Sequence, residues 1–224
     1  MRNNDPDPEI KSKGLLRLEI FSDGVFAIAI TLLILEVIQT LHSSGGNRLQ
    51  DLLLGNWKSF VAFLIGFLTI LICWINHHLV LSYVEKADTR LFWINGFVLL
   101  IVTFTPFPTA ILAEYLEKDS HTAMAVFGFN YFMMSLAAYS LSAYVYNNLA
   151  TKENNQLLYH HKQLYKYSII YTLINFFICF VSVPIAIFLY ALMFIVFAFP
   201  RTFSERLLNR KAKRSRRLTK AKEE

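Results

Sequence analysis

Long apolar runs separated by short polar segments dominate the pattern of this chain. Leu, Ile, Val and Phe fill these runs continuously and form no narrow amphipathic stripes. Each run approaches or exceeds the roughly 17 to 25 residues that a helix needs to cross about 30 Å of hydrocarbon. The pattern predicts six transmembrane helices. We place them at Leu18–Gln39, Trp57–Ser82, Asp88–Ala113, His121–Tyr146, Leu164–Val181 and Val183–Phe199.

The last two predicted spans are separated only by a short segment that contains Ser182 and Pro184. One continuous helix from Leu164 to Phe199 would be about 54 Å long at 1.5 Å per residue, which exceeds the bilayer thickness. A tight hairpin is therefore favoured over a single kinked helix.

Composition supports an all-α membrane protein without a soluble catalytic domain, since 55% of the residues are hydrophobic and only 17% are charged. The predicted organisation is a flexible tail at 1–17, a six-helix transmembrane domain at 18–199 and a basic tail at 200–224. Cys73 and Cys179 each lie within an apolar run, where we interpret them as small buried side chains. No spacing of ligands predicts a metal site or a cofactor.

The distribution of charge predicts the topology. Of the 22 lysines and arginines, only Arg48, Lys58 and Lys118 fall on the side opposite the termini. By the positive-inside rule, both termini are expected to be cytoplasmic in a multi-pass protein of the cell membrane. The basic cluster at 210–217 follows the last span and is expected to contact anionic lipids. Nucleic acid is disfavoured because no stacking aromatics are interleaved with these charges.

Polar side chains occur at matching depths in the first three predicted spans, roughly 6 to 11 Å from the inner ends. Unpaired polar groups are costly in hydrocarbon, so we expect one hydrogen-bonded cluster that joins the three helices. Its predicted members, with Arg17 at the edge, are Arg17, Ser22, Asp23, Trp74, Asn76, His77, His78 and Asn95.

Catalysis by this cluster is disfavoured. His77 and His78 are adjacent and point about 100° apart on a helix, so they cannot both face one metal ion. The chain contains no H-E-x-x-H motif and no serine nucleophile elbow. We predict that the protein is not an enzyme and that the cluster is a structural or gating network, with a proton relay as the open alternative.

The first predicted span has two distinct faces on a helical wheel of about 100° per residue. Asp23 lies about 140° away from Ile28 on this wheel. By spacing alone, the apolar face around Ile28 is best explained by lipid contact or packing. That face also carries Gly24, Thr31, Leu32, Leu35 and Gln39.

The segment from Arg17 to Glu36 resembles the R-x-x-x-F-S-D signature in the first helix of the transmembrane protein 175 family, the lysosomal potassium channel and its prokaryotic relatives. The resemblance covers roughly residues 15 to 112. A single six-helix unit is similar to the prokaryotic form of the family. Further matching positions are Trp74, His77, His78, Asp88, Leu91, Asn95, Phe104, Pro106 and Thr109.

This resemblance implies a homotetramer in which the first helix lines a pore on the fourfold axis. Ile28, Leu32 and Leu35 would form hydrophobic rings, and Thr31 and Gln39 would also line the pore. The only metal expected is potassium passing transiently near the Thr31 hydroxyls. Phe21, as part of the signature, joins the predicted gating network.

The function predicted on this basis is a potassium-permeable cation channel with a hydrophobic constriction in place of a carbonyl filter, since no T-V-G-Y-G-like segment is present. An ion-coupled or proton-linked secondary transporter is the alternative. It would favour inverted repeats and broken helices, whereas only the third span, with Pro106 and Pro108, is interrupted. A purely structural membrane protein is a third possibility.

Overall fold

A computed structural model describes residues 8–43, 48–150 and 155–198, with side chains omitted at 8–12, 43 and 155. Within these ranges the chain is helical apart from short connections and an isolated antiparallel bridge between Val84 and Ala150. The helices are α1 Pro8–Ser43, α2 Leu49–Gly55, α3 Trp57–Leu81, α4 Thr89–Phe104, α5 Pro106–Tyr115, α6 Ser120–Tyr144, α7 Asn155–Ile178 and α8 Val183–Ala198, and a π-helical turn at Val145–Leu149 extends α6.

The first helix, Pro8–Ser43 as the structure describes it, already contains the residues before the predicted start at Leu18. Residues 8–17 are thus helical, which differs from the flexible tail predicted for 1–17. Residues 9–43 contain no proline, so the polar segment continues directly into the apolar one.

In the described part of the chain, four helical stretches are long and apolar enough to cross a membrane. They are Lys13–His42, Trp57–Leu81, Thr89–Tyr115 and Ser120–Leu149. Helix α8 is apolar but shorter, and α7 begins with a polar segment that contains His160, His161 and Lys162. The protein thus has several membrane-spanning helices, and the count of six remains a prediction.

The third predicted span is broken where α4 meets α5. Pro106 has no backbone N–H, so the helix cannot continue through it without losing a hydrogen bond. Side chains contact the groups around the break: Thr105 Oγ1 donates to the Ile101 carbonyl at 3.0 Å, and Asn130 Nδ2 donates to Thr105 Oγ1 at 3.2 Å. Such hydrogen bonds make an interruption tolerable inside a membrane.

Helices α7 and α8 form a hairpin. Tyr171 Oη donates to the Leu189 carbonyl at 2.7 Å, and Asn175 Nδ2 donates to the Ala186 carbonyl at 3.3 Å. The two bonded residues are 18 positions apart in the first pair and 11 in the second, which lies nearer the turn at 179–182. A separation that shrinks toward the turn indicates two antiparallel helices. The predicted hairpin is therefore confirmed, and one kinked helix is excluded.

Two apolar clusters form the core. The first lies between α1, α3, α4 and α6 and includes Phe26, Ile70 and Leu91. The second lies at α5, α6 and α8, where Gly128 permits close packing, because an added Cβ would lie 2.5 Å from Tyr190 Oη. Cys73 and Cys179 are free and buried, as expected for small apolar side chains.

Candidate functional site: a polar network beside the exposed face of the first helix

A buried chain of hydrogen bonds joins α1, α4 and α3. Asn95 Nδ2 donates to Ser22 Oγ at 2.9 Å, and Asn95 Oδ1 lies 2.6 Å from His77 Nε2. Ser22 Oγ donates its one hydrogen to the Leu18 carbonyl at 2.7 Å, so it can only accept from Asn95. This orientation turns the Asn95 oxygen toward His77, and His77 Nε2 is therefore the donor.

Packing holds this chain in place. Ser22, His77 and Asn95 are all buried. The Phe26 ring, one helical turn after Ser22, contacts the His77 ring with centroids 5.2 Å apart. The inward face of α1 thus contacts Asn95 of α4 through a hydroxyl and His77 of α3 through an aromatic ring.

Asp23 lies outside this buried chain. Its side chain is exposed in the single chain, and its Oδ1 accepts a hydrogen bond from Trp74 Nε1 at 2.8 Å. The Trp74 ring stacks on His78 with centroids 5.9 Å apart. Arg17 and Phe21 are exposed too. Asp23, Trp74 and His78 therefore form a second group of contacts, on the outward side of α1 and α3.

The single cluster expected from the sequence is thus divided by the geometry of the helix. Consecutive residues point about 100° apart, so Ser22 turns inward while Asp23 turns outward, and His77 turns inward while His78 turns outward. The expected cluster contained Asp23 together with His77 and Asn95; instead Ser22 connects α1 to Asn95, and Asp23 contacts Trp74.

Asn76 belongs to a separate buried network. Its Oδ1 lies 2.9 Å from His161 Nε2, and its Nδ2 donates to the Phe197 carbonyl at 3.2 Å. His161 Nδ1 lies 3.4 Å from Ser142 Oγ, so this network joins α3, α6, α7 and α8. Sequence reasoning missed His161 because it placed the residue in a loop before Leu164, whereas α7 begins at Asn155.

The apolar face of α1 is uncovered in the single chain. Ile28 is 59% exposed, Leu32 40% and Leu35 47%, and Thr31 and Gln39 are also exposed. Thr31 Oγ1 donates to the Ile28 carbonyl at 2.8 Å, which leaves the oxygen lone pairs available on the exposed side. The opposite face carries residues packed in the core, including Phe26 and Leu33.

Within the described ranges, no group of three or more His, Cys, Asp or Glu side chains is placed to hold a metal ion. The basic cluster at 210–217 lies outside the described residues, as does the rest of the predicted carboxyl-terminal tail.

Comparison with known proteins gives a consistent result. The family model described as the endosomal/lysosomal potassium channel TMEM175 matches residues 17–106. A protein of Streptomyces collinus named a potassium channel is 48% identical over 127 residues, which is 56% of this chain and 61% of that protein. A potassium channel of Chamaesiphon minutus is 48% identical over 122 residues, 54% of this chain and 59% of that protein.

The matched segment therefore spans about three fifths of the length of these two curated relatives. A solved structure extends the likeness over nearly the whole fold. The crystal structure described as a lysosomal potassium-selective channel TMEM175 homolog from Chamaesiphon minutus aligns with a TM-score of 0.72 and 34% sequence identity. The alignment covers 84% of this chain and 97% of that one.

Proposed function

We infer that this chain, which belongs to the TMEM175 family, forms a potassium-permeable cation channel and works as a homotetramer whose pore is lined by α1. The observation that carries this proposal is the uncovered apolar face of α1. In the most apolar 18-residue stretch of the α1 span, 22% is buried within the chain, against 39% for Trp57–Leu81 and 50% for Thr89–Tyr115 and for Ser120–Leu149. A helix anchored on one side and open on the other suits a position around a shared axis.

The proposed constriction is the ring of Ile28, extended by Leu32 and Leu35. Isoleucine offers no oxygen to replace the water around an ion, so an ion must lose part of its hydration shell or wait until the ring opens and wets. Potassium holds its water less tightly than sodium and should cross more easily. Thr31 and Gln39 would supply the polar atoms on the same face, with potassium passing transiently near Thr31.

The buried chain from Ser22 through Asn95 to His77 supports this arrangement, because it anchors the side of α1 that faces away from Ile28. The outward pair of Asp23 and Trp74 is then available at the boundary with a neighbouring subunit. We propose that the buried chain sets the rotation of α1 and that the outward pair takes part in assembly or gating.

We further propose that the protein lies in the cell membrane with both termini cytoplasmic, as the distribution of lysine and arginine favours. The basic tail would contact anionic lipids at the inner leaflet.

Purified protein in liposomes tests the function directly. We expect potassium efflux that increases linearly with the driving force and exceeds the sodium efflux under matched gradients, since a pore has no saturable carrier step. The flux is measured separately for potassium, sodium and protons, and liposomes without protein serve as the control. Saturating flux would favour a transporter, and no flux in correctly inserted protein would contradict the channel proposal.

Thr31→Ala is expected to change ion preference more than conductance. The substitution removes the hydroxyl on the exposed face of α1 but leaves the apolar ring of Ile28 intact. We expect the potassium-to-sodium flux ratio to fall several-fold, with total potassium flux altered less than twofold. Thr103→Val, on the exposed side of α4, removes a hydroxyl that donates within its own helix and serves as the control. An unchanged ratio in Thr31→Ala would remove Thr31 from the proposed pore.

Asp23→Ala is expected to lower flux several-fold or to reduce the fraction of assembled oligomer, because Trp74 Nε1 loses its acceptor. Asp23→Asn retains a side-chain oxygen that can accept from Trp74 and should preserve more of both. Size-exclusion chromatography with light scattering, together with liposome flux, measures the two effects. Wild-type behaviour in Asp23→Ala would exclude a role for the outward pair.

A further inference from the structure

Two cavities adjoin at the end of the bundle where α3 begins and α5 ends. The first has a volume of about 420 Å³ and a polar lining that includes Glu36, Lys58, Glu114 and Lys118. The second has a volume of about 220 Å³ and is lined almost entirely by apolar side chains of α3, α5, α6 and α8. Lys58, Ala62 and Ala113 line both, so one polar chamber and one apolar groove meet at a shared wall.

We propose that the chamber and the groove together bind a phospholipid whose headgroup carries a phosphate and a primary ammonium. The acyl chain would occupy the groove, and the headgroup would occupy the chamber.

The lysines of the chamber have donors to spare for a phosphate. Lys58 pairs with Glu117, but an ammonium group has three hydrogens and a single carboxylate oxygen does not satisfy all of them. Lys118 Nζ lies 3.9 Å from Glu114 Oε1, which is a loose contact between two largely exposed side chains. A phosphate oxygen would therefore find two cations at the chamber wall.

The acidic side of the chamber favours a cationic group on the same ligand. Glu36 is half-buried on a membrane-spanning helix, and among the residues that the structure describes its carboxylate has no ion-pair partner. A carboxylate at such a position is expensive unless a cation or water compensates it. A primary ammonium can both neutralise the charge and donate hydrogen bonds, whereas a quaternary ammonium can do only the first.

The groove extends along most of the depth that an acyl chain occupies in one leaflet. Along α3 it extends from Trp57 through Val61 to Ile65, which is about 12 Å at 1.5 Å per residue. One leaflet of hydrocarbon is about 15 Å deep. Ile187 and Phe194 of α8 line the opposite side. Trp57 begins α3, and tryptophan is enriched where the headgroup region meets hydrocarbon.

Native mass spectrometry of the delipidated full-length protein in detergent tests the proposal. Phosphatidylethanolamine, phosphatidylcholine and phosphatidylglycerol with identical acyl chains are added separately. We expect the ethanolamine lipid to be retained about tenfold more strongly than the other two, as for one lost charge-assisted hydrogen bond. Equal retention of all three lipids would overturn the assignment of the headgroup.

Variants separate the two halves of the site. Glu36→Gln should make the protein retain the ethanolamine and choline lipids about equally. Lys58→Gln should lower the retention of all three lipids. Lys86→Gln, an exposed lysine near the opposite end of α3, is the control and should change nothing. An unaltered preference in Glu36→Gln would contradict the chamber as the headgroup site.

Ala191→Phe fills the groove from the exposed surface of α8 and should lower retention of every two-chain lipid several-fold. Soluble phosphoethanolamine, which has the headgroup alone, should fail to displace the lipid at equal concentration. Wild-type retention in Ala191→Phe, or ready displacement by the soluble headgroup, would exclude the groove from binding. Retention is measured without ion flux, so these results do not depend on the channel proposal.

Discussion

Ile28→Asn is expected to raise total cation flux several-fold and to bring the potassium and sodium fluxes closer together. In the proposed tetramer the substitution places an amide from each subunit where the wild type has only hydrocarbon. Amide groups hydrogen-bond water, so the constriction would stay wet and ions would pass without losing as much of their hydration shell. Liposome flux with potassium and sodium exchanged measures both effects in one assay.

Ile34→Asn provides a matched control for this experiment. Ile34 is also exposed on α1, at 40%, but lies about 120° around the helix from Ile28. The same chemical change there should leave the ratio of potassium to sodium flux unchanged. If Ile28→Asn had wild-type flux and ion preference, α1 would not line the pore, and the uncovered face would have to be explained by lipid contact or packing.

Asn95→Leu is expected to produce the largest loss of stability among single substitutions in the network. Leucine has a similar size but removes the donor to Ser22 and the acceptor from His77. Hydrogen bonds between membrane helices average about 0.6 kcal/mol with a maximum near 1.7, and a buried group left unpaired adds to the loss. The loss of two hydrogen bonds is therefore expected to lower the free energy of unfolding by about 1–4 kcal/mol. The loss is detected as a lower melting temperature of the protein in detergent.

Asn148→Leu is the matched control, because it makes the same change at an exposed residue whose amide, among the residues that the structure describes, donates to the Tyr144 carbonyl one turn earlier. Its effect should be small. Ser22→Ala combined with Asn95→Leu should cost less than the sum of the two single changes, since both remove the same contact. Equal stability of Asn95→Leu and Asn148→Leu would mean that the buried chain does not hold α1.

The two substitutions also distinguish the proposed roles of the two faces of α1. Ile28→Asn should change flux while leaving the thermal stability of the fold close to that of wild type, because Ile28 makes little contact within the chain. Asn95→Leu should lower stability first, and flux should fall to the extent that α1 loses its orientation. Parallel effects of both variants on both measurements would argue against separate anchoring and conducting faces.

Much of the architecture follows from the sequence because the membrane imposes strong local rules. Long apolar runs located α3 to within a residue of its observed end, and the length argument selected the α7–α8 hairpin. Pro106 indicated the break between α4 and α5, because the missing N–H of a proline interrupts a helix without any tertiary contact. The wheel placed Ile28, Leu32 and Leu35 on one face of α1, and this face is exposed.

The sequence could not determine which polar residues meet, since depth along a helix is local but the rotation of one helix against another is set by packing. Asp23 and Ser22 have nearly the same depth, and the contact of Phe26 with His77 turns Ser22 inward. The polar start of α7 has no apolar pattern, and only tertiary contact brings His161 to Asn76. The apolar runs and Pro106 therefore determined the position of α3, the break between α4 and α5 and the hairpin of α7 and α8. The tertiary structure decided the pairing of polar groups, because that depends on how helices distant in sequence pack together.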